Sequence, residues 1–91
     1  MHVIIHSKTS CPYCILAKNW FKDNDIPFQE IKHDDDLERK QFYESCGDDV
    51  SSVPQIFIDN IRIGGWNDLI SMKDDILLRY QSSKISLYED F

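Results

Sequence analysis

The stretch from Val3 to Phe21 restricts the fold of this chain most. A β-branched run, Val3-Ile4-Ile5, stops at Ser7-Lys8-Thr9-Ser10, and Tyr13, Leu16, Ala17, Trp20 and Phe21 then recur at three- and four-residue intervals. The first pattern suits a buried strand and the second one face of a helix. Pro12 falls in the first turn of that helix, where its missing N–H costs little. A strand therefore feeds a short loop and then a helix, and Cys11 and Cys14 stand at the helix start.

Asn24-Asp25-Ile26-Pro27 ends this helix, since the residue before a proline is pushed out of the helical region. A second strand is expected over Phe28 to Ile31. Asp34-Asp35-Asp36 supplies a cap and favourable negative charge for a helix from about Leu37 to Cys46, with Gly47 as its stop. Its apolar positions, Phe42, Tyr43 and Cys46, are few. Gln55-Ile56-Phe57-Ile58 and Ile61-Arg62-Ile63 are separated by Asp59-Asn60, a spacing that predicts a two-residue β-hairpin. Leu69, Met72, Ile76, Leu77 and Tyr80 mark a third helix. The order β-α-β-α-β-β-α gives an α/β fold with a four-stranded mixed sheet flanked by helices on both faces.

At 91 residues the chain has room for one core, assigned to residues 1–80, with 81–91 a partly ordered extension. A formal charge of −6 argues against nucleic acid, whose binders cluster Lys and Arg for counterion release. No apolar run approaches a membrane span, and the N-terminus lacks the pattern of a secretion signal. Three cysteines, an odd number, fit a reducing compartment with one reactive pair and a spare thiol. Cytoplasmic location and a monomer are the expectations.

Two cysteines three apart at a helix start hold both sulfurs at one helix end, close enough for a small disulfide ring. The first sulfur faces unpaired backbone N–H groups and the positive end of the helix dipole, which favour thiolate over thiol. Cys11 is thus the expected exposed nucleophile, and Cys14, one turn further in, the resolving thiol. Half a zinc site shares this spacing, but no second C-x-x-C or H-x3-H completes it, so no metal is expected. Cys46 reads as a half-buried thiol, and His2, His6 and His33 as structural or surface residues without ligand spacing.

Three ordered segments carry a family resemblance: Lys8-Thr9-Ser10-Cys11-Pro12-Tyr13-Cys14, Ser52-Val53-Pro54-Gln55-Ile56-Phe57-Ile58, and Gly64-Gly65-Trp66-Asn67-Asp68-Leu69. Together they resemble the signature segments of dithiol glutaredoxins, and the likeness covers residues 3 to about 80. It implies a thioredoxin-like fold and glutathione as co-substrate. Lys8 by family position, and Arg39 by a looser alignment, would hold the glycine carboxylate, and Lys8 would also favour the Cys11 thiolate. Val53, before a proline the family keeps in cis, would pair its backbone with the cysteinyl part of glutathione, and Pro54 would shape the groove. Free N–H groups at Asn67 and Asp68 would accept the γ-glutamyl carboxylate while the Asp68 side chain meets the amine.

Blander readings stand beside these. Pro54 could instead be an ordinary edge or turn proline, although its context favours the groove reading, Asn67 and Asp68 are good helix caps, and Tyr13 suits packing as well as the groove. Ser52 replaces the usual Thr, and Asp48 to Ser51 lengthens the approach to Val53. Trp66 occupies a position that is commonly smaller and there would line the glutathione groove, narrowing it or adding a stacking surface for a protein substrate. The partners implied are disulfide-containing or glutathionylated proteins, with ribonucleotide reductase a family-level candidate. Two other functions fit a C-x-x-C chain of this type. One is a thioredoxin-like protein reduced by a thioredoxin reductase. The other is an iron-sulfur carrier sharing a cluster through Cys11 and glutathione, against which Pro12 stands where cluster-binding relatives tend to carry Gly.

Overall fold

Alternation along the first strand sets the two faces of the sheet: Val3, Ile5 and Ser7 are buried, while Ile4 and His6 between them are half-buried. The computed structural model describes residues 1–89, with side chains through Ser83. Its elements are β1 (Val3–Ser7), α1 (Pro12–Asp23), β2 (Gln29–Lys32), α2 (Asp36–Cys46), β3 (Gln55–Ile58), β4 (Ile61–Gly64) and α3 (Trp66–Glu89). This is the predicted order, with boundaries moved by about a residue except at the end. There the last helix runs on past Tyr80 to Glu89. Asp90 and Phe91, also assigned to the extension, lie outside the described residues.

The sheet order is β2-β1-β3-β4. β1 pairs with β2 in parallel and with β3 antiparallel, so the sheet is mixed. The β3–β4 hairpin closes through Asp59 and Asn60 at φ 52° and 70°, the pair of positive values that a two-residue turn matching the strand twist requires.

Val3, Ile5, Ile56 and Ile58 meet Ala17 and Phe21 of α1 and Leu69 and Ile76 of α3 in one apolar cluster, each 7% exposed or less. Burying a side chain of this size contributes about 1.5–3 kcal/mol, so this face holds the fold together. Tyr80 Oη donates to the Asp25 carbonyl at 3.1 Å and ties α3 to the turn after α1.

The opposite face is built differently, since α2 contributes no buried residue. Phe42 of α2 stacks on the rings of His6 and His33, with centroids 4.3 Å away in each case, and Phe57 meets His6 edge-on. Both Glu38 carboxylate oxygens lie 2.7 Å from His33 Nδ1, and His33 Nε2 lies 2.8 Å from His6 Nδ1. A carboxylate only accepts, so Nδ1–H of His33 donates to Glu38, and in the neutral His33 ring Nε2 then accepts from Nδ1–H of His6. The two histidines are thus a satisfied chain inside the α2 face, joined by a contact across 27 residues of sequence.

Candidate functional site

Cys11 is the residue that caps α1. Its backbone is extended, Pro12 follows in the first turn, and its Sγ accepts the N–H of Cys14 at 3.2 Å. Cys11 and Cys14 are joined as a disulfide, their Cα atoms 5.2 Å apart. Both sulfurs thus sit at the positive end of the helix, where a thiolate formed on reduction gains an N–H donor and the dipole. The expected exposure of Cys11 is corrected here: it is 6% exposed against 1% for Cys14. The reason is Val53, whose carbonyl lies 3.7 Å from Cys11 Sγ and which packs with both cysteines and Tyr43. The order of access stands, but the first sulfur is shielded.

The loop before Cys11 is pinned from the β2–α2 connection. Asp34 accepts the Thr9 backbone N–H and the Thr9 hydroxyl, each at 2.7 Å. Those bonds, the backbone one first, hold the Asp34 carboxyl below its ordinary value. His33 N–H donates to the Ser7 carbonyl at 2.8 Å. Ser7 Oγ donates to Glu30 at 2.6 Å, and Lys18 pairs with the same carboxylate at 2.9 Å. Burial pushes Glu30 up, but the Lys18 and Ser7 bonds outweigh it and hold the group low. Ser10, at φ 61°, turns the chain into Cys11.

Beside the cysteines lies a cleft of about 590 Å³, within the range of small-molecule sites. Tyr13, Val53, Pro54, Trp66, Asn67 and Asp68 line it, so six of the residues singled out in the sequence converge there. The Val53–Pro54 bond is cis. Across from it, Gly64 has φ 114°, which L side chains rarely adopt, and a Cβ there would come 2.6 Å from Asp68 Cγ and displace that carboxylate. A Cβ on Gly65 would come 3.3 Å from the Pro54 carbonyl, which shows how closely the two walls approach. Asp68 Oδ2 accepts the Gly65 N–H at 2.9 Å. The cap reading of Asp68 is therefore realised, with its other oxygen left for a ligand.

Lys8 is half-buried in the loop before Cys11 and is not among the cleft-lining residues. Arg39 does not reach the cleft either. Its Nη2 donates to Asp36 at 2.7 Å and its Nη1 to the His33 carbonyl at 2.9 Å, so it closes the start of α2. The Asp36–Arg39 spacing of three is a helical ion pair and was a readable sign of this. Sequence reasoning missed Gln55 and Arg62, which line the cleft and bond to each other. Gln55 adjoins Pro54 within the Ser52–Ile58 segment, which was the one sequence signal for it. A second cavity of about 620 Å³, between β4 and α3, holds none of the predicted site residues. Among the described residues no three His, Cys, Asp or Glu side chains are grouped to hold a metal ion.

The Val53–Pro54 loop and the start of α3 wall one cleft, and Val53 also packs against Cys11 and Cys14, which are not themselves among the lining residues. The Glutaredoxin family profile matches residues 3–63. The chain belongs to the glutaredoxin family. It is 38% identical over 85 residues to glutaredoxin 1 of Rickettsia prowazekii, covering 87% of this chain and 88% of that one. The crystal structure of glutaredoxin 1 from Francisella tularensis, complexed with cacodylate, superposes with a TM-score of 0.80 at 41% identity, covering 84% of this chain and 95% of that chain. A buckwheat glutaredoxin, solved as a glutathione complex, shares the fold at TM-score 0.72 and 24% identity, covering 90% of this chain and 76% of that one. Glutaredoxins are thioredoxin-like oxidoreductases, and the redox-active disulfide here is Cys11–Cys14.

Proposed function

We propose that this glutaredoxin reduces protein disulfides and glutathione mixed disulfides at the expense of glutathione. The observation that carries this reading is the juxtaposition of the Cys11–Cys14 pair with a cleft walled by Val53, Pro54 and the start of α3. In that cleft the Val53 backbone offers strand-like pairing to the cysteinyl part of glutathione. The first-turn amides of α3, which have no partners within their helix, offer donors to the γ-glutamyl carboxylate. Lys8 supplies charge for the glycine carboxylate from the loop before Cys11. Arg39 is bonded to Asp36 and the His33 carbonyl at the start of α2.

The reduced Cys11 thiolate attacks the glutathionyl sulfur of a mixed disulfide. The old S–S bond breaks, the target leaves as a thiolate that takes up a proton, and Cys11 carries the glutathionyl group. A second glutathione thiolate attacks that sulfur, releasing glutathione disulfide and regenerating Cys11. With a protein disulfide, Cys14 attacks the Cys11 mixed disulfide instead, forming the Cys11–Cys14 disulfide, and two glutathiones reduce it in turn. The odd cysteine count fits such chemistry in a reducing cytoplasm.

The test compares Cys11→Ser and Cys14→Ser in a glutathione-coupled mixed-disulfide assay. Cys11→Ser abolishes turnover, and Cys14→Ser retains deglutathionylation while losing protein-disulfide reduction. Equal loss in both variants removes the division of labour. Turnover by a thioredoxin reductase without glutathione removes the glutathione reading.

A further inference from the structure

The cleft holds one cation among its described lining residues, Arg62, and it lies between the second and third family segments, outside both. Arg62 faces Phe57 across the β3–β4 ladder. Its Nη1 donates to Gln55 Oε1 at 3.0 Å. Gln55 is only 5% exposed, and its Nε2 donates to the Ser52 carbonyl at 2.9 Å. The second bond fixes which end of the amide turns toward Arg62, because only the oxygen can accept from a guanidinium.

No ion pair involves Arg62 among the described residues, in contrast to Lys18 and Arg39. A neutral amide thus orients the guanidinium without neutralising it. One N–H is used, and the other donors of the planar fork remain for a ligand, in the geometry that matches a carboxylate with two parallel bonds. The remaining charged residues of the cleft, Asp49 and Asp68, are anions. Asp68 is half committed to the Gly65 N–H, so the start of α3 offers a carboxylate for an amine but only backbone donors for a ligand carboxylate. Arg62 adds the missing full positive charge in the same cleft.

We propose that Gln55 and Arg62 form a carboxylate clamp, in which Arg62 binds the α-carboxylate of the γ-glutamyl end of glutathione and Gln55 is its positioning residue. The clamp rests on the glutathione reading of the site. It makes Arg62 a specificity-determining residue, one that selects γ-glutamyl thiols over other cysteine derivatives.

The experiment uses the full chain and three mixed disulfides of one cysteine peptide, carrying glutathione, γ-glutamylcysteine or cysteinylglycine. R62Q raises KM about tenfold on the first two, the size of losing one charge-assisted interaction. Its kcat is unchanged, as is its KM for the cysteinylglycine substrate. R62K recovers part of the loss, and Q55L reproduces the pattern more weakly. Equal KM values for wild type and R62Q on the glutathionyl substrate overturn the clamp and leave the glutathione reading standing. A penalty that persists with cysteinylglycine overturns the assignment to the γ-glutamyl end. A wild type that does not prefer the glutathionyl substrate overturns the glutathione reading, and the clamp with it.

Discussion

The two faces of the sheet are held by different forces. On the α1–α3 face, Val3, Ile5, Phe21, Ile56 and Leu69 are essentially inaccessible to water and contain no polar atom beyond the backbone. On the α2 face, the contacts are a ring stack and a hydrogen-bonded chain from His6 through His33 to Glu38. The apolar face contributes most of the stability, because burial is non-directional and scales with area. The polar face is directional, and its bonds end on the segment before Cys11: His33 N–H on the Ser7 carbonyl and Asp34 on Thr9. One face keeps the chain folded, and the other sets where the reactive loop lies.

The largest test of this division is a pair of truncations. Phe21→Ala removes a fully buried ring and should cost about 3–5 kcal/mol. Phe42→Ala removes a half-buried ring from the α2 face and should cost about 1–2 kcal/mol, the ordinary range for a point change. Urea unfolding with the slope held common measures both. Equal losses would mean that the α2 face is a second core, and the contrast between the faces would collapse.

The same contrast explains what the sequence disclosed. The apolar face was readable because its residues form local patterns, a contiguous β-branched run in β1 and repeats of three and four in α1 and α3. The Asp59-Asn60 hairpin followed from turn chemistry, and Cys11, Cys14, Val53 and Pro54 from short contiguous segments. The α2 face was opaque for the converse reason. His6 and His33 meet only because β1 and β2 pair in parallel, and no spacing in the chain announces a contact made by strand registration. Arg39 and Arg62 show the cost of that opacity. Both are single basic residues, and only the partners each finds, Asp36 for one and Gln55 for the other, decide which serves the cleft. The length of α3 was likewise hidden, because the sequence from Gln81 to Phe91 lacks strong periodicity.

A smaller effect separates the faces by pH. Burial, and then the neighbouring His33, hold the His6 imidazole below its ordinary value, with Glu38 partly offsetting them. The unfolded chain therefore binds the proton more readily, so stability is complete above about pH 6.5 and is lost as pH falls through the folded value. The urea midpoint should drop between about pH 7 and pH 5. His6→Phe, which keeps a ring in the stack, should flatten that drop, whereas Phe21→Ala should lower the curve without changing its slope. A slope unchanged in His6→Phe would show that the α2 face carries no titrating penalty.

The smallest effect on stability should come with a clear effect on chemistry. Asp34 is a solvent-exposed carboxylate, so its two bonds to Thr9 contribute little to folding, yet they fix the residue two before Cys11. Asp34→Ala should shift the urea midpoint less than Phe42→Ala does and still slow mixed-disulfide reduction severalfold, since the loop that aims Cys11 at the cleft is released. The Asp34 carboxyl is held low by the Thr9 backbone and hydroxyl bonds, so its contribution is present above the usual carboxylate range and is lost as pH falls through its lowered value. Wild type should therefore keep its loop geometry well into the acid range. A variant with unchanged rates would place loop positioning in the Ser7–His33 and Ser7–Glu30 bonds alone, and would move the division between stability and aim from the α2 face to the strand β1 itself.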